Sequence, residues 1–145
     1  GCESGAGRTR RSMIVLDASA ALEVLLNDRL AASVARRIFD PTESLHAPHL
    51  IDVEVAQVLR RIVRKKEMTA ERGEQALDDL RRLPLSRYPH SLLLDRIWSL
   101  RDNASACGAT YLALAEALDA TLLTCDAALS SIPGHSAKVE VVRQP

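Results

Sequence analysis

Two short segments of this chain, one apolar throughout and one apolar apart from two threonines, each end at an aspartate. Residues 13–16 precede Asp17, and residues 121–125 precede Asp126. Continuous apolar segments of this length are typical of β-strands that are buried on both faces. Such strands need helices above and below their sheet, so this feature restricts the chain to the α/β class of folds.

The rest of the chain carries helical patterns and further short strands. Apolar residues recur at helical spacing from about residue 49 to residue 66, and residues 105–118 are apolar on every side, which predicts a helix buried against the sheet. Further helices are expected at 30–39, 69–83 and 91–101, and further strands at 44–48, 85–88 and 139–142. Strands that alternate with helices are joined by right-handed crossovers and form a mainly parallel sheet.

Length and composition are those of one globular domain. The chain has 145 residues, of which 47% are hydrophobic and 26% charged, and no apolar run approaches the roughly 20 residues that a membrane helix needs. We expect residues 1–12 to be a disordered tail of upstream or added sequence and residues 13–145 to form a single domain. The three cysteines are odd in number and lack metal-binding spacing, which favours the reducing cytoplasm.

Charge gives little indication of a nucleic-acid partner except in one segment. The first twelve residues hold three arginines and one glutamate, so the remaining chain has a net charge of −2. Residues 60–66 contain five basic side chains at the end of the helix predicted from residue 49. This segment is either the favourably charged, solvated end of a helix or a phosphate-binding track formed by Arg61, Arg64 and Lys65.

Acidic residues mark one edge of the predicted sheet. Ligands of open parallel sheets bind outside the carboxyl ends of the strands, where Asp17 and Asp126 are expected. Each aspartate could also be an ordinary helix N-cap. Glu54, on the helix after the second strand, either faces solvent or points toward these aspartates, and Asp52 is the rival acid on that helix. Clustered carboxylates without His or Cys favour Mg²⁺ or Mn²⁺ over zinc.

The chain resembles a known family at four places in the right order. These are MIVLDASA with Asp17 and Ser19, HAPHLIDVEVAQVLRR with Glu54, LRDNASACGATYLALAEAL, and LLTCD with Asp126. They resemble the PIN-domain ribonucleases, and specifically the VapC toxins of toxin-antitoxin pairs. The resemblance implies a three-layer α/β/α PIN-like fold with a mainly parallel central sheet.

The resemblance also implies a function and its site residues. Asp17, Glu54 and Asp126 would bind one or two Mg²⁺ or Mn²⁺ ions and hydrolyse RNA, with Ser19 supporting Asp17. It further implies a VapB-like antitoxin that blocks the acidic groove, often with a basic side chain, and a homodimer.

Tyr111 and Trp98 are expected to be packing residues.

One position departs from the family pattern. The family usually has an aspartate where this chain has Gly108, and residues 111–116 keep the register, so a gap does not explain the difference. Three outcomes remain open: catalysis with one ion, compensation by Asp102 or Glu116, or a weakened or silent module that binds RNA or antitoxin without efficient cleavage. Glu116 lies about 12 Å further along the helix, which disfavours it.

Overall fold

The computed structural model describes residues 12–144 and contains five strands and six α-helices in that range. The strands are β1 (Ser12–Leu16), β2 (Glu43–Pro48), β3 (Leu85–Tyr88), β4 (Thr121–Thr124) and β5 (Lys138–Val141). The helices are α1 (Ala18–Leu25), α2 (Ala31–Ile38), α3 (Leu50–Arg64), α4 (Ala70–Arg82), α5 (Leu94–Ser99) and α6 (Ala106–Leu118). Short 3₁₀ turns occur at Ser91–Leu93 and Ala127–Ser131.

The boundaries differ from the predictions at two places. β1 begins at Ser12, which was assigned to the tail, and residues 1–11 of that predicted tail lie outside the described residues. The helix predicted at 91–101 is a 3₁₀ turn followed by the short helix α5. α5 ends where the N–H of Leu100 is shared between the carbonyls of Arg96 and Ile97, a bifurcated bond common at helix termini.

The five strands form one parallel sheet in the order β3-β2-β1-β4-β5. Its two faces carry separate apolar layers because neighbouring residues of a strand point to opposite sides. Ile14 and Leu16 pack with α1 to α4, whereas Val15 packs with α6. The parallel sheet and the three-layer α/β/α arrangement predicted from the sequence are therefore confirmed.

Helix α6 is the most enclosed element of the second layer. Its residues from Ala109 to Ala115 are all buried, as their uniformly apolar pattern predicted. No helix between residues 12 and 144 is long and apolar enough to cross a membrane.

The strand order places a crevice between β1 and β4. The chain leaves β1 toward β2 on one side and later returns to β4 on the other, so the connections diverge at this pair of strands. Ligands of open α/β sheets bind at the carboxyl ends of strands at such a switch point. Asp17 and Asp126 follow these two strands.

Candidate active site

Asp17 is a buried carboxylate held by three hydrogen bonds. Its side chain is at the end of β1 and the residue is only 5% exposed. Oδ1 accepts from the Ser19 hydroxyl at 2.7 Å and from the N–H of Ala20 at 3.0 Å, and Oδ2 accepts from the Thr124 hydroxyl. Burial raises the pKa of Asp17; these hydrogen bonds oppose the rise, and the nearby charge of Asp126 adds to it.

Two hydroxyl groups connect the ends of β1 and β4. The Ser19 Oγ accepts from the N–H of Cys125 at 3.0 Å, and Thr124 Oγ1 accepts from the N–H of Asp126 at 2.9 Å. The two hydroxyl oxygens lie 3.2 Å apart. Because both hydroxyls also donate to Asp17, the orientation of its carboxylate depends on the contact between the two strands.

Asp126 is exposed and begins the 3₁₀ turn after β4. Its Oδ1 accepts from the N–H of Ala128 at 2.9 Å, so it is an N-cap, as Asp17 is for α1. The N-cap alternative and the predicted position at the sheet edge therefore both hold for these aspartates. Only Oδ1 of Asp126 accepts this backbone bond, which leaves Oδ2 available to another group.

Glu54 reaches the same place from α3. It is half-buried, and the Tyr111 hydroxyl on α6 donates to its Oε1 at 2.6 Å. Tyr111 is only 3% exposed. Burial raises the pKa of its phenol, and the hydrogen bond to Glu54 raises it further, so the hydroxyl keeps its proton and remains a donor. Asp52, the other acid considered on this helix, instead forms a bidentate ion pair with Arg87, with N···O distances of 2.8 and 2.9 Å.

A cavity of about 230 Å³ brings the three predicted acids together. Its lining comprises Asp17, Ala18, Ser19, Glu54, Ser105, Cys107, Gly108, Tyr111, Asp126 and Leu129. A larger cavity of about 420 Å³ lies beside the ion pair of Asp52 and Arg87. That cavity has one carboxylate already paired with an arginine, so the smaller, acid-lined cavity is the better candidate for binding a cation.

The side chains of the acid-lined cavity are of the kind that binds a divalent ion, but they are spaced further apart than the ligands of one ion. Its charged side chains are all carboxylates, which Mg²⁺ and Mn²⁺ prefer. Within residues 12–144, however, no three His, Cys, Asp or Glu side chains lie close enough together to hold one ion. Glu54 and Asp126 are more exposed than Asp17, and each uses only one carboxylate oxygen in the hydrogen bonds described above.

Gly108 contributes no side chain to the cavity wall. It is the third residue of α6, and its N–H donates at 3.1 Å to the side chain of Ser105, the N-cap expected from the sequence. Neither acid considered as a replacement lines the cavity. Asp102 is exposed on the turn before α6, and Glu116 is paired with Arg96 at 2.9 Å.

Two side chains at the site, and one outside it on α5, were missed or misjudged from the sequence. Tyr111 packs as predicted but also bonds Glu54, and Thr124 was not singled out. A polar residue inside the apolar strand before Asp126 was the available signal for Thr124. Trp98 is 69% exposed, so its prediction as a packing residue is wrong. A six-residue helix such as α5 is too short for periodicity to show which apolar side chain faces outward.

The predicted RNA contacts lie on the same helix as Glu54 but outside the cavity. Arg61 and Arg64 belong to the last turns of α3, Lys65 follows them, and all three are exposed. By helical rise they lie about 10 to 17 Å from Glu54 along the axis. Arg61 is seven residues after Glu54 and therefore shares its face of the helix.

Comparison with known proteins supports the family resemblance seen in the sequence, over most of the chain. The PIN domain family model matches residues 14–134. Ribonuclease VapC9 from Mycobacterium tuberculosis is 45% identical over 130 residues, which cover 90% of this chain and 98% of the relative. Ribonuclease VapC1 from the same organism is 42% identical, with 89% and 97% covered.

Two solved structures share the fold at much lower sequence identity. VapBC2 from Rickettsia felis aligns with a TM-score of 0.67 at 13% identity, covering 89% of this chain and 98% of that one. VapC20 from M. tuberculosis aligns with a TM-score of 0.64 at 16% identity, covering 85% and 96%. The acid-lined cavity thus occurs in a chain that belongs to the PIN-domain family and, within it, to the VapC ribonucleases.

Proposed function

We propose that this protein is the endoribonuclease toxin of a toxin-antitoxin pair and that Asp17, Glu54 and Asp126 bind the Mg²⁺ or Mn²⁺ it requires. The observation that carries this proposal is the convergence of three carboxylates, from β1, α3 and the end of β4, on one cavity. Relatives from Mycobacterium tuberculosis that are 37–45% identical to this chain are named as VapC ribonucleases. A divalent ion bound there would favour ionisation of a water molecule and stabilise charge on the phosphate.

The chain's own residues prepare this chemistry. Ser19 and Thr124 hold both oxygens of Asp17, so that its carboxylate does not have to reorganise when charge develops nearby. Tyr111 orients Glu54 from the opposite helix layer. Leu129 contributes an apolar part of the cavity wall beside these polar groups.

RNA cleavage tests the proposal. The wild type and Asp17→Asn are incubated with single-stranded and structured RNA in Mg²⁺ or Mn²⁺, and the products are separated by size. We expect cleavage by the wild type alone. Equal cleavage by both proteins would contradict the assignment of the site.

A second candidate function rests on Gly108. Because position 108 brings no carboxylate to the cavity, the protein has less negative charge with which to retain a second ion. The second candidate is therefore a PIN-fold module that binds RNA or antitoxin with weak or absent cleavage. Calorimetric titration with Mn²⁺ separates the two candidates, since a silent module would show little affinity for the ion.

We propose that Arg61, Arg64 and Lys65 bind RNA phosphates on the approach to the cavity. The logarithm of the association constant falls linearly with the logarithm of the salt concentration, by about 0.7 to 0.9 for each phosphate contact. Neutralising two contacts should therefore make this slope less steep by roughly 1.4 to 1.8. The measurement is RNA binding by Arg64→Gln/Lys65→Gln at several salt concentrations. Arg81→Gln/Arg82→Gln on α4 is a matched control, and an unchanged slope in the α3 variant would exclude the role.

The proposed partners are an antitoxin and a second copy of this chain. A basic antitoxin side chain would form charge-assisted hydrogen bonds with the three acids of the cavity. Leu94 and Trp98, one helical turn apart on α5, are more than half exposed and provide apolar area for a homodimer. Sedimentation of the purified chain tests the dimer.

The free thiols of Cys107 and Cys125 agree with a cytoplasmic location.

A further inference from the structure

Helix α3 begins without a cap from its own preceding residue. The helices α1, α4 and α6 begin after Asp17, Thr69 and Ser105, each of which accepts a backbone N–H of its own first turn. His49, which precedes α3, makes no such bond. Instead, the N–H of Leu50 donates at 2.9 Å to Nε2 of His90, which lies 40 residues further along the chain.

The start of α3 is therefore attached to the segment that follows β3. The N–H of His49 donates to the carbonyl of Tyr88 at 2.9 Å, two residues before His90. The half-buried side chains of Leu50 and Tyr88 both pack against the apolar layer formed with α6. One backbone bond, one side-chain bond and shared packing thus determine where the first turn of α3 lies.

This first turn determines where Glu54 enters the cavity. Glu54 follows Leu50 by four residues, so the two lie on one face of α3 about 6 Å apart along its axis. The hydrogen bond of Glu54 to Tyr111 comes from α6, and Asp17 stands on β1. A displacement of the first turn would move Glu54 relative to both, and sites of this kind depend on placement to within about 0.5 Å.

We propose that His90 is a positioning residue for Glu54, acting through its hydrogen bond to the backbone of Leu50. This inference rests on the proposed ribonuclease function. Accepting the bond requires that Nε2 carry no proton, so the imidazole is neutral with its proton on Nδ1. The ring of His49 stands edge-on to His90 with centroids 6.2 Å apart and accepts no bond from α3.

A pair of substitutions separates the hydrogen bond from the bulk of the side chain. His90→Leu fills the space without an acceptor, whereas His90→Gln retains an acceptor at a similar distance from the backbone. We expect His90→Leu to lower kcat for RNA cleavage by about 10-fold or more with KM changed less than about twofold, the size typical of residues that support metal ligands. His90→Gln should stay within about threefold of the wild type, and His49→Leu is the matched control with unchanged kinetics.

Hydrogen exchange of the Leu50 amide, measured by NMR, reports the bond without any need for activity. Exchange should be faster in His90→Leu than in wild type and His90→Gln. Unchanged kcat in His90→Leu, or equal loss in the Leu and Gln variants, would overturn the inference while the ribonuclease function stands. If the wild type cleaves no RNA, the proposed function fails, and the exchange rate of Leu50 alone decides whether His90 holds α3.

Discussion

Asp17→Asn is expected to abolish cleavage while making the metal-free protein more stable. The loss of activity should be at least about 100-fold, equivalent to about 2.7 kcal/mol of transition-state stabilisation. It follows from the removal of the one buried carboxylate among the three proposed metal ligands, which Ser19 and Thr124 both hold.

The expected gain in stability comes from the same burial. Burial raises the pKa of Asp17, which means that its ionised form at neutral pH is costly for the folded protein. Asparagine retains an oxygen for Ser19 and Ala20, and its amide can donate to Thr124 once the Thr124 hydroxyl turns to Ser19, 3.2 Å away. We expect a gain of about 1 kcal/mol, or roughly 4 °C in Tm.

Thermal unfolding in EDTA and in Mn²⁺ checks this prediction. Asp17→Asn should unfold at the higher temperature in EDTA, and only the wild type should gain stability from Mn²⁺, because a ligand stabilises the state that binds it. Asp126→Asn is the informative comparison, since it removes an exposed carboxylate and should lose activity with a smaller gain in stability than Asp17→Asn. A lower Tm for Asp17→Asn than for the wild type in EDTA would contradict the account.

Gly108→Asp is expected to raise Mn²⁺ affinity and the rate of RNA cleavage, each by about 10-fold or more. It adds a fourth carboxylate to the cavity wall at the N-terminal end of α6, where a negative charge is favourable by about 0.3 to 1 kcal/mol. A Cβ at this position would lie 3.3 Å from Leu129 Cδ2 and from Ser105 Oγ, both of which are side-chain atoms able to shift by a few tenths of an ångström. Glycine is less favourable than alanine inside a helix by about 1 kcal/mol, so its replacement offsets part of the repulsion that a fourth carboxylate adds to the metal-free protein.

Gly108→Asn is the matched control for charge. It introduces a side chain of similar size without a carboxylate and should leave metal affinity and cleavage near the wild-type values. A wild-type rate that is barely measurable and is raised by Asp but not by Asn would favour the weakened module over the efficient enzyme. Equal effects of Asp and Asn would show that the missing charge at position 108 is unimportant.

The layers of the fold could be predicted because each depends on local patterns. Residues 13–16 are apolar without interruption, residues 121–125 are apolar apart from two threonines, and residues 105–118 are apolar on all sides, which favours central strands and a buried helix. Parallel strands then bring Asp17 and Asp126 to one edge whatever the details of the loops. Glu54 was identified by family resemblance, because helical spacing alone left Asp52 equally possible.

The supporting contacts of the site could not be predicted in the same way. Tyr111 bonds Glu54 across 57 residues of sequence, and His90 caps a helix that begins 40 residues earlier. Such pairs depend on how helix layers pack, and neither member has a local pattern that indicates its partner. Asp52 was resolved only by its ion pair with Arg87, which removes it from the cavity.

The proposed function requires that Asp17, Glu54 and Asp126 bind one divalent cation together. Anomalous scattering from crystals soaked in Mn²⁺ tests it most directly, because the signal locates the ion independently of activity. We expect a peak inside the acid-lined cavity with oxygen atoms of all three carboxylates within coordination distance, and no such peak in Asp17→Asn. An active protein whose crystals show Mn²⁺ only elsewhere, or a cavity peak that persists in Asp17→Asn, would contradict it.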